Sequence, residues 1–185
     1  MFGRIHKAYL LLMALYLFLS CAKPVEIVIP DDPVYPTSGT ATVDNKEVVN
    51  YNGSGFYFAT AQVIYYPNTS EVFPDISVRV SLATNYLPQF WSIDGNSAFK
   101  LLDSSPDSSN AYAFFDSLTA ISDTSGFVSP ISNLSVYQTL AIRANQKKYA
   151  KIIITKITVD SINNITETTF KWVYQPDGSL TFPAQ

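Results

Sequence analysis

The chain has 185 residues, with 12 basic and 15 acidic side chains, a net charge of −3, one cysteine and one histidine. This length is enough for one domain with a buried core, and a mildly acidic chain offers no basic field to attract nucleic acid. The lone cysteine has no partner for an intramolecular disulfide.

The first residues have the organisation of a bacterial lipoprotein signal. Arg4 and Lys7 form a positive start, residues 8–19 form an apolar run, and Ser20 is the small residue before a cleavage point. Such a run spans about 18 Å as a helix, against about 30 Å for a hydrocarbon core, so it is a signal rather than a membrane span. We predict cleavage before Cys21 and lipidation of that cysteine, palmitate included. The alternatives are a secretory signal cleaved elsewhere and a buried core thiol.

The residues around the cleavage point also predict a destination. Phe18-Leu19-Ser20-Cys21 resembles a relaxed form of the lipoprotein cleavage motif, and Ala22, rather than an aspartate, follows the cysteine. Lipid chains contribute about 0.8 kcal/mol per buried methylene, so several chains on one residue anchor a protein firmly. By resemblance to the lipoprotein sorting rule, we expect a lipid anchor in the outer membrane, with the protein at the cell surface.

Removal of residues 1–20 limits the chemistry of what remains. The only histidine, His6, and both methionines, Met1 and Met13, leave with the signal, and the net charge becomes about −5. Ser-His-Asp and Cys-His catalysis, zinc sites of His and Cys, and imidazole proton transfer all need side chains that the mature part lacks. We therefore expect neither an enzyme nor a metal site.

The mature chain divides into a tether and one domain. Residues 21–38 hold the lipidated cysteine and a proline-rich stretch, which is typical of an extended spacer. Residues 39–185 form the domain. Within it, residues 76–82 alternate between apolar and small or polar side chains, the period of a strand with one apolar face. Residues 56–66 are apolar on both faces, which predicts a central strand.

Three β-rich runs occupy the C-terminal third, at residues 136–144, 149–159 and 166–174. Their short connections suit hairpins, so we predict an antiparallel meander. In the last run, Phe170, Trp172 and Tyr174 share one face, and such a face more often belongs to a core than to a binding surface.

The middle of the domain differs in amino-acid composition. Residues 85–133 are rich in Ser, Asp, Asn and Pro with scattered aromatic side chains. Residues 111–121 have Tyr112 and Phe115 at helical spacing, with Asn110 as the expected N-cap of a short helix. Long connecting segments with their own aromatic residues commonly carry function, so we expect the binding residues here.

Several segments resemble the HmuY-like haem-binding lipoproteins. The similarity consists of strand patterns with a few fixed residues, and it covers both ends of the mature domain but not its middle. The segments are Gly55-Phe56-Tyr57-Phe58, Phe73-Pro74-Asp75-Ile76-Ser77-Val78, Thr84-Asn85, residues 137–143, residues 148–152, residues 169–174 and Asp177-Gly178-Ser179. In the second segment, Phe and Pro stand where the family has Trp.

The resemblance implies a β-rich domain that grips haem between loops with two axial side chains and passes it to a receptor. In that family the ligands are His or Met from the middle region and the approach to the Tyr137 strand, but residues 127–130 of this chain contain neither. Tyrosinate suits ferric iron, which leaves Tyr86 and Tyr112 as candidate haem-binding residues. The alternative is that both are core or rim aromatics.

The sequence as a whole predicts a mainly β fold, a single antiparallel β-rich domain with one or two short helices. One functional hypothesis is a haem or porphyrin carrier with non-standard or lost axial ligation, whose partners are the membrane, the ring and an outer-membrane receptor or host protein. The other is a non-haem surface lipoprotein that binds a protein or glycan partner through its middle loops.

Overall fold

The computed structural model describes residues 34–48, 50–67, 71–81 and 86–183. Cys21, the signal and most of the tether therefore lie outside the described residues. The elements in chain order are β1 (Ser38–Asp44), β2 (Gly53–Tyr57), β3 (Gln62–Tyr66), β4 (Ile76–Ser81), β5 (Leu87–Trp91), β6 (Ala98–Ser104), α1 (Ser108–Ser117), β7 (Ile131–Ser132), β8 (Gln138–Arg143), β9 (Tyr149–Asp160) and β10 (Ile165–Gln175).

The strands form two five-stranded antiparallel sheets. The first sheet has the order β1-β10-β9-β8-β6, and the second has the order β3-β2-β4-β5-β7. The fold is thus mainly β, with one α-helix in the described part of the chain, as the sequence predicted. No helix among the described residues has the length and apolar character needed to cross a bilayer.

An aromatic core fills the space between the two sheets. Phe56 on β2 lies 5.1 Å from Trp172 on β10, measured between ring centroids, and Phe58 stacks on Tyr174 at 5.5 Å. Aliphatic side chains from β4, β8 and β9 complete the cluster. Aromatic pairs at these separations contribute about 0.5–1.5 kcal/mol each beyond the apolar area they bury.

The C-terminal meander is confirmed. Strands β8, β9 and β10 are neighbours in one sheet, and a β-bulge interrupts the β9–β10 register at Thr169/Phe170. The face formed by Phe170, Trp172 and Tyr174 belongs to the core, each side chain being buried. The strand predicted from the alternation at residues 76–82 is also confirmed, since β4 spans Ile76–Ser81.

The prediction of one central strand over residues 56–66 is wrong. The chain forms β2, turns through a 3-10 segment at Phe58–Thr60 with Ala61 in the left-handed region, and returns as β3. The turn forms because Phe58 enters the end of the core and its amide bonds to the Asp75 carboxylate instead of to a strand. Strand β3 then lies at a sheet edge, so its apolar side chains Val63 and Tyr65 are 43% and 47% exposed.

The middle region is more regular than its composition indicates. Strands β5 and β6 contribute the fully buried Phe90 and Phe99 to the core. The predicted helix exists but begins earlier, and its N-cap is Asp107, whose carboxylate accepts the Asn110 amide at 2.8 Å. Asn110 itself lies in the first turn, so its assignment as the cap is wrong. Strand β1, which begins at Ser38, was not predicted.

Helix α1 packs on the outer face of the first sheet. Ala111 and Phe115 of the helix join Ile153 and Val173 of the sheet in a second apolar cluster. The fully buried Lys151 of β9 lies beneath the end of the helix. The domain therefore has three layers, helix, sheet and sheet, with one aromatic core and one smaller core.

Candidate ligand-binding cleft

An open cleft of about 960 Å³ lies where several strand ends meet. Its walls come from Tyr57 at the end of β2, residues 71–73 before β4, residues 94–96 between β5 and β6, and residues 143–149 between β8 and β9. Antiparallel pairing brings these segments to one end of the domain, because the end of each strand lies beside the start of its neighbour. The volume is at the upper end of the range for small-molecule sites.

Aromatic rings line much of the cleft. Tyr57, Tyr149 and the 41% exposed Phe73 face it from three different segments. Phe127 supports Tyr149 with a ring separation of 6.2 Å, and the guanidinium carbon of Arg143 lies 5.6 Å from the Phe127 ring. A flat apolar ligand would therefore meet ring faces and edges on more than one side.

The charges in the cleft are of both signs but are not equally engaged. Asp94 accepts bonds from the Ser92 hydroxyl at 2.8 Å and from the Asn96 amide at 3.0 Å. Burial raises the pKa of Asp94, but these hydrogen bonds outweigh burial and the net pKa lies below the ordinary value. By contrast, the ion pairs found among the described residues involve neither Arg143 nor Lys147. Arg143 and Lys147 therefore lie outside the described ion pairs, as does Glu71, the second acidic residue that lines the cleft.

The wall that carries Lys147 has a strained backbone. Gln146 and Lys147, two consecutive residues other than glycine, both have positive φ, at 60° and 58°. Left-handed conformations cost such residues roughly 1–3 kcal/mol and persist only where the surroundings impose them. Here the preceding residue, Asn145, is held by a hydrogen bond from its amide to Asp75.

Asp75 is the buried carboxylate behind the cleft, with only 1% of its surface exposed. Its Oδ2 accepts the Phe58 amide at 2.9 Å, and its Oδ1 accepts the Asn145 amide at 2.8 Å and the Ser97 hydroxyl at 3.3 Å. Desolvation outweighs these hydrogen bonds and raises the pKa of Asp75 to about 6, and the charge of Asp94 adds to the rise.

A close backbone approach sets the position of Asp75. Gly55 on β2 leaves no room for a side chain, since a Cβ there would lie 2.5 Å from Pro74 Cβ. The Asp75 amide then donates to the Phe56 carbonyl at 2.9 Å. Glycine at position 55 therefore allows residues 74–75 to lie directly against β2.

The tyrosines nearest Asp75 hold their protons firmly. Burial, and secondarily the Asp75 charge, raises the pKa of Tyr57 above its ordinary value. The pKa of Tyr174 rises to about 12, chiefly through burial. Tyr57 is consequently a poor source of the tyrosinate that iron coordination requires.

The structure does not bring Tyr86 and Tyr112 together. Tyr86 precedes β5 in the second sheet and is 43% exposed, whereas Tyr112 lies on α1 against the outer face of the first sheet. The Tyr112 ring contacts Tyr137 edge-on at 6.4 Å, and neither candidate lines the cleft. Among the described residues there is also no cluster of three or more His, Cys, Asp or Glu side chains suited to a metal ion.

Two features of the sequence point to this cleft, although the strand patterns alone do not. The turn at residues 145–148 carries two lysines next to Tyr149, although its length and composition predict only a hairpin connection. Asp75 belongs to the segment that resembles the HmuY-like family, and an aspartate at the start of an apolar strand also indicates a buried, hydrogen-bonded carboxylate. What could not be foreseen was that these segments share one end of the domain.

Comparison of the chain with protein-family models gave no match, and a search of curated proteins found no similar sequence.

Proposed function

We propose that the protein is a lipid-anchored outer-membrane lipoprotein, similar to the HmuY-like group, that binds a flat anionic ring of the porphyrin class in the cleft. The observation that carries the proposal is the combination of aromatic rings that line the cleft with Arg143 and Lys147, two cations that the described ion pairs leave out. A porphyrin presents an apolar ring for the aromatics and carboxylates for the cations.

The proposal assigns recognition to the ring rather than to iron. Tyr86 and Tyr112 lie in different layers, and burial favours the protonated Tyr57 phenol, so these three tyrosines do not form a pair of axial ligands. Lost axial ligation is therefore the form of the haem hypothesis that the geometry favours. A non-haem protein or glycan partner for the middle loops stays a prediction.

A titration of the mature protein with iron-free protoporphyrin and with haemin tests this proposal. We expect saturable quenching of tryptophan fluorescence by both rings at micromolar concentration, with affinities within a few-fold of each other. Replacing both Arg143 and Lys147 by Gln should weaken binding about 10-fold, which corresponds to about 1.4 kcal/mol.

The matched control is Lys46→Gln with Lys156→Gln. This pair changes the net charge equally, but its lysines lie near Glu167 on β10 and not in the cleft. Absence of saturable binding, or equal losses in the two double variants, would contradict the proposal. Binding of haemin without the iron-free ring, abolished by Tyr86→Phe with Tyr112→Phe, would instead establish axial ligation.

The membrane anchor has its own test. Because the thioether-linked lipid requires the Cys21 sulfur, Cys21→Ser should abolish labelling of the protein by radioactive palmitate in cells and release it from the membrane fraction. Retention of the label in the Cys21→Ser variant would show that lipid is attached elsewhere or that the signal is of another type.

A further inference from the structure

Four segments that line the cleft converge on one side chain behind it. The Asp75 carboxylate bonds to Phe58, which follows Tyr57, and to Ser97, which follows Asn96. It also bonds to Asn145, which precedes the strained residues 146–147, and Asp75 itself follows residues 71–73. Thr124, which also lines the cleft, lies outside these four segments.

We propose that Asp75 is the positioning residue of the cleft, whose carboxylate sets the relative placement of the walls that contact the ligand. This inference rests on the proposed function for the identity of the ligand, but the contacts themselves are independent of it. Asp75 is fully covered, so it holds the walls without touching the ligand.

The strained turn shows why such a residue is needed. Asn145 stands at the start of the turn, and the backbone beyond it passes through two left-handed residues before β9 begins. An N–H bond to an anionic oxygen at 2.8 Å is among the stronger hydrogen bonds available to hold this turn. Without the anion, the strain favours relaxation of the wall that carries Lys147.

The same geometry makes the cleft sensitive to pH. The groups that face Asp75 are Asp94 from the β5–β6 connection, Tyr57 from β2 and Tyr174 from β10, while the β8–β9 connection presents the Asn145 amide. With a pKa of about 6, Asp75 gains a proton in mildly acidic solution, and its three donors then face a weaker, neutral acceptor. The walls are therefore held most firmly above pH 6.

Amide chemical shifts in the ligand-free protein test the inference without any ligand. We expect the amide protons of Phe58 and Asn145 to titrate together with a midpoint near pH 6. Asp94→Asn should move this midpoint to lower pH, because it removes the neighbouring negative charge. Asp160→Asn, in the distant β9–β10 turn, should leave it unchanged. Separate midpoints for Phe58 and Asn145, or no titration of either, would overturn the inference.

The second measurement is the pH profile of protoporphyrin affinity in the wild type and in Asp75→Asn, which retains the size of the side chain. We expect affinity in the wild type to fall about 10-fold more between pH 7.5 and pH 5 than in Asp75→Asn. Titration of the porphyrin carboxylates is common to both proteins and cancels in the comparison.

The outcomes separate the two proposals. If the wild type binds no porphyrin, the proposed function fails, while the joint titration of Phe58 and Asn145 still decides the role of Asp75. If porphyrin binds with the same pH profile in both proteins, the positioning role fails and the proposed function stands. Should Asp75→Asn not fold, the wild-type amide titration alone decides.

Discussion

Asp75→Ala should destabilise the domain by about 3 to 5 kcal/mol at pH 4.5, measured by urea unfolding followed with tryptophan fluorescence. The substitution leaves the Phe58 and Asn145 amides without their acceptor at a fully covered site. Each unsatisfied buried donor costs about 1–3 kcal/mol, and the lost side-chain volume adds to this. The Ser97 hydroxyl also loses its partner.

The cost of Asp75→Ala should be smaller at pH 7.5 than at pH 4.5. A pKa raised from 3.8 to about 6 means that the folded domain binds this proton more tightly than the unfolded chain does. The contribution of Asp75 to the unfolding free energy is therefore fully present below pH 3.8, and it falls by about 3 kcal/mol as the pH rises to about 6. Alanine removes the stabilising contacts but also this penalty.

The control for this prediction is Asp160→Ala. Asp160 lies at the end of β9, where its carboxylate accepts amides within its own turn, and these bonds hold its pKa below the ordinary value. Its contribution to stability has the opposite pH dependence, being lost as the pH falls. A cost for Asp75→Ala that is greater at pH 7.5 than at pH 4.5 would show that folding lowers the pKa of Asp75 instead of raising it.

The two effects of Asp75 point to a trade between stability and binding. Neutralising a buried charge stabilises the domain as a whole, whereas the three donors around the cleft lose an anionic acceptor. Sites that keep a costly charge for the sake of a fixed geometry are typical of functional regions. The functional region in question is the cleft, because the hydrogen-bond partners of Asp75 all belong to segments that line or adjoin the cleft.

The C-terminal meander could be predicted because its information is local. Residues 149–159 and 166–174 have a β-rich composition and a short polar connection, and the aromatic face predicted for the second run is buried in the structure. The hairpin inside residues 56–66 could not be predicted in the same way. Its turn depends on Asp75, which lies 17 positions away from Phe58 in the sequence.

Composition is a poor guide to structure where polar residues are buried rather than exposed. The stretch from residue 85 to residue 133 contains β5 and β6, whose Phe90 and Phe99 are central to the core, although its serines and asparagines indicated loops. Ser92 and Ser97 are buried here because they bond within the β5–β6 connection, where the Ser97 amide donates to the Ser92 hydroxyl. Such local pairing satisfies polar groups inside a core, and periodicity alone does not detect it.

The cleft depends on tertiary structure to a still greater degree. Its cations stand at the end of β8 and in the turn that follows, and its aromatic residues stand at the end of β2, before β4 and at the start of β9. Antiparallel pairing brings these segments to one end of the domain. The sequence directed attention to Tyr86 and Tyr112 because they lie in the aromatic middle region. The two tyrosines are separated because the first sheet lies between α1 and the second sheet. The spacing of residues in the sequence does not reveal such an arrangement of layers.

Lys151→Ala is the other substitution with a large expected effect, a loss of about 3 to 4 kcal/mol of unfolding free energy in urea. The Lys151 ammonium donates to the carbonyls of Phe115 and Leu118 at 2.7 and 2.8 Å, at the end of α1. It also lies 4.6 Å from the centre of the Phe115 ring. These carbonyls have no partner within the helix, so a cation beneath them both bonds to them and opposes the helix dipole.

The neighbouring Lys171 provides a matched control for Lys151. Lys171 lies 5.1 Å from the same Phe115 ring and pairs with Asp116 at 3.0 Å, but its side chain is 33% exposed. Because exposed ion pairs contribute about 0 to 1 kcal/mol, Lys171→Ala should cost less than 1 kcal/mol. Lys151→Met keeps the apolar stem and should recover part of the loss. Equal costs for the two alanine variants would contradict the view that Lys151 attaches the helix through its buried ammonium, and would assign attachment to apolar packing instead.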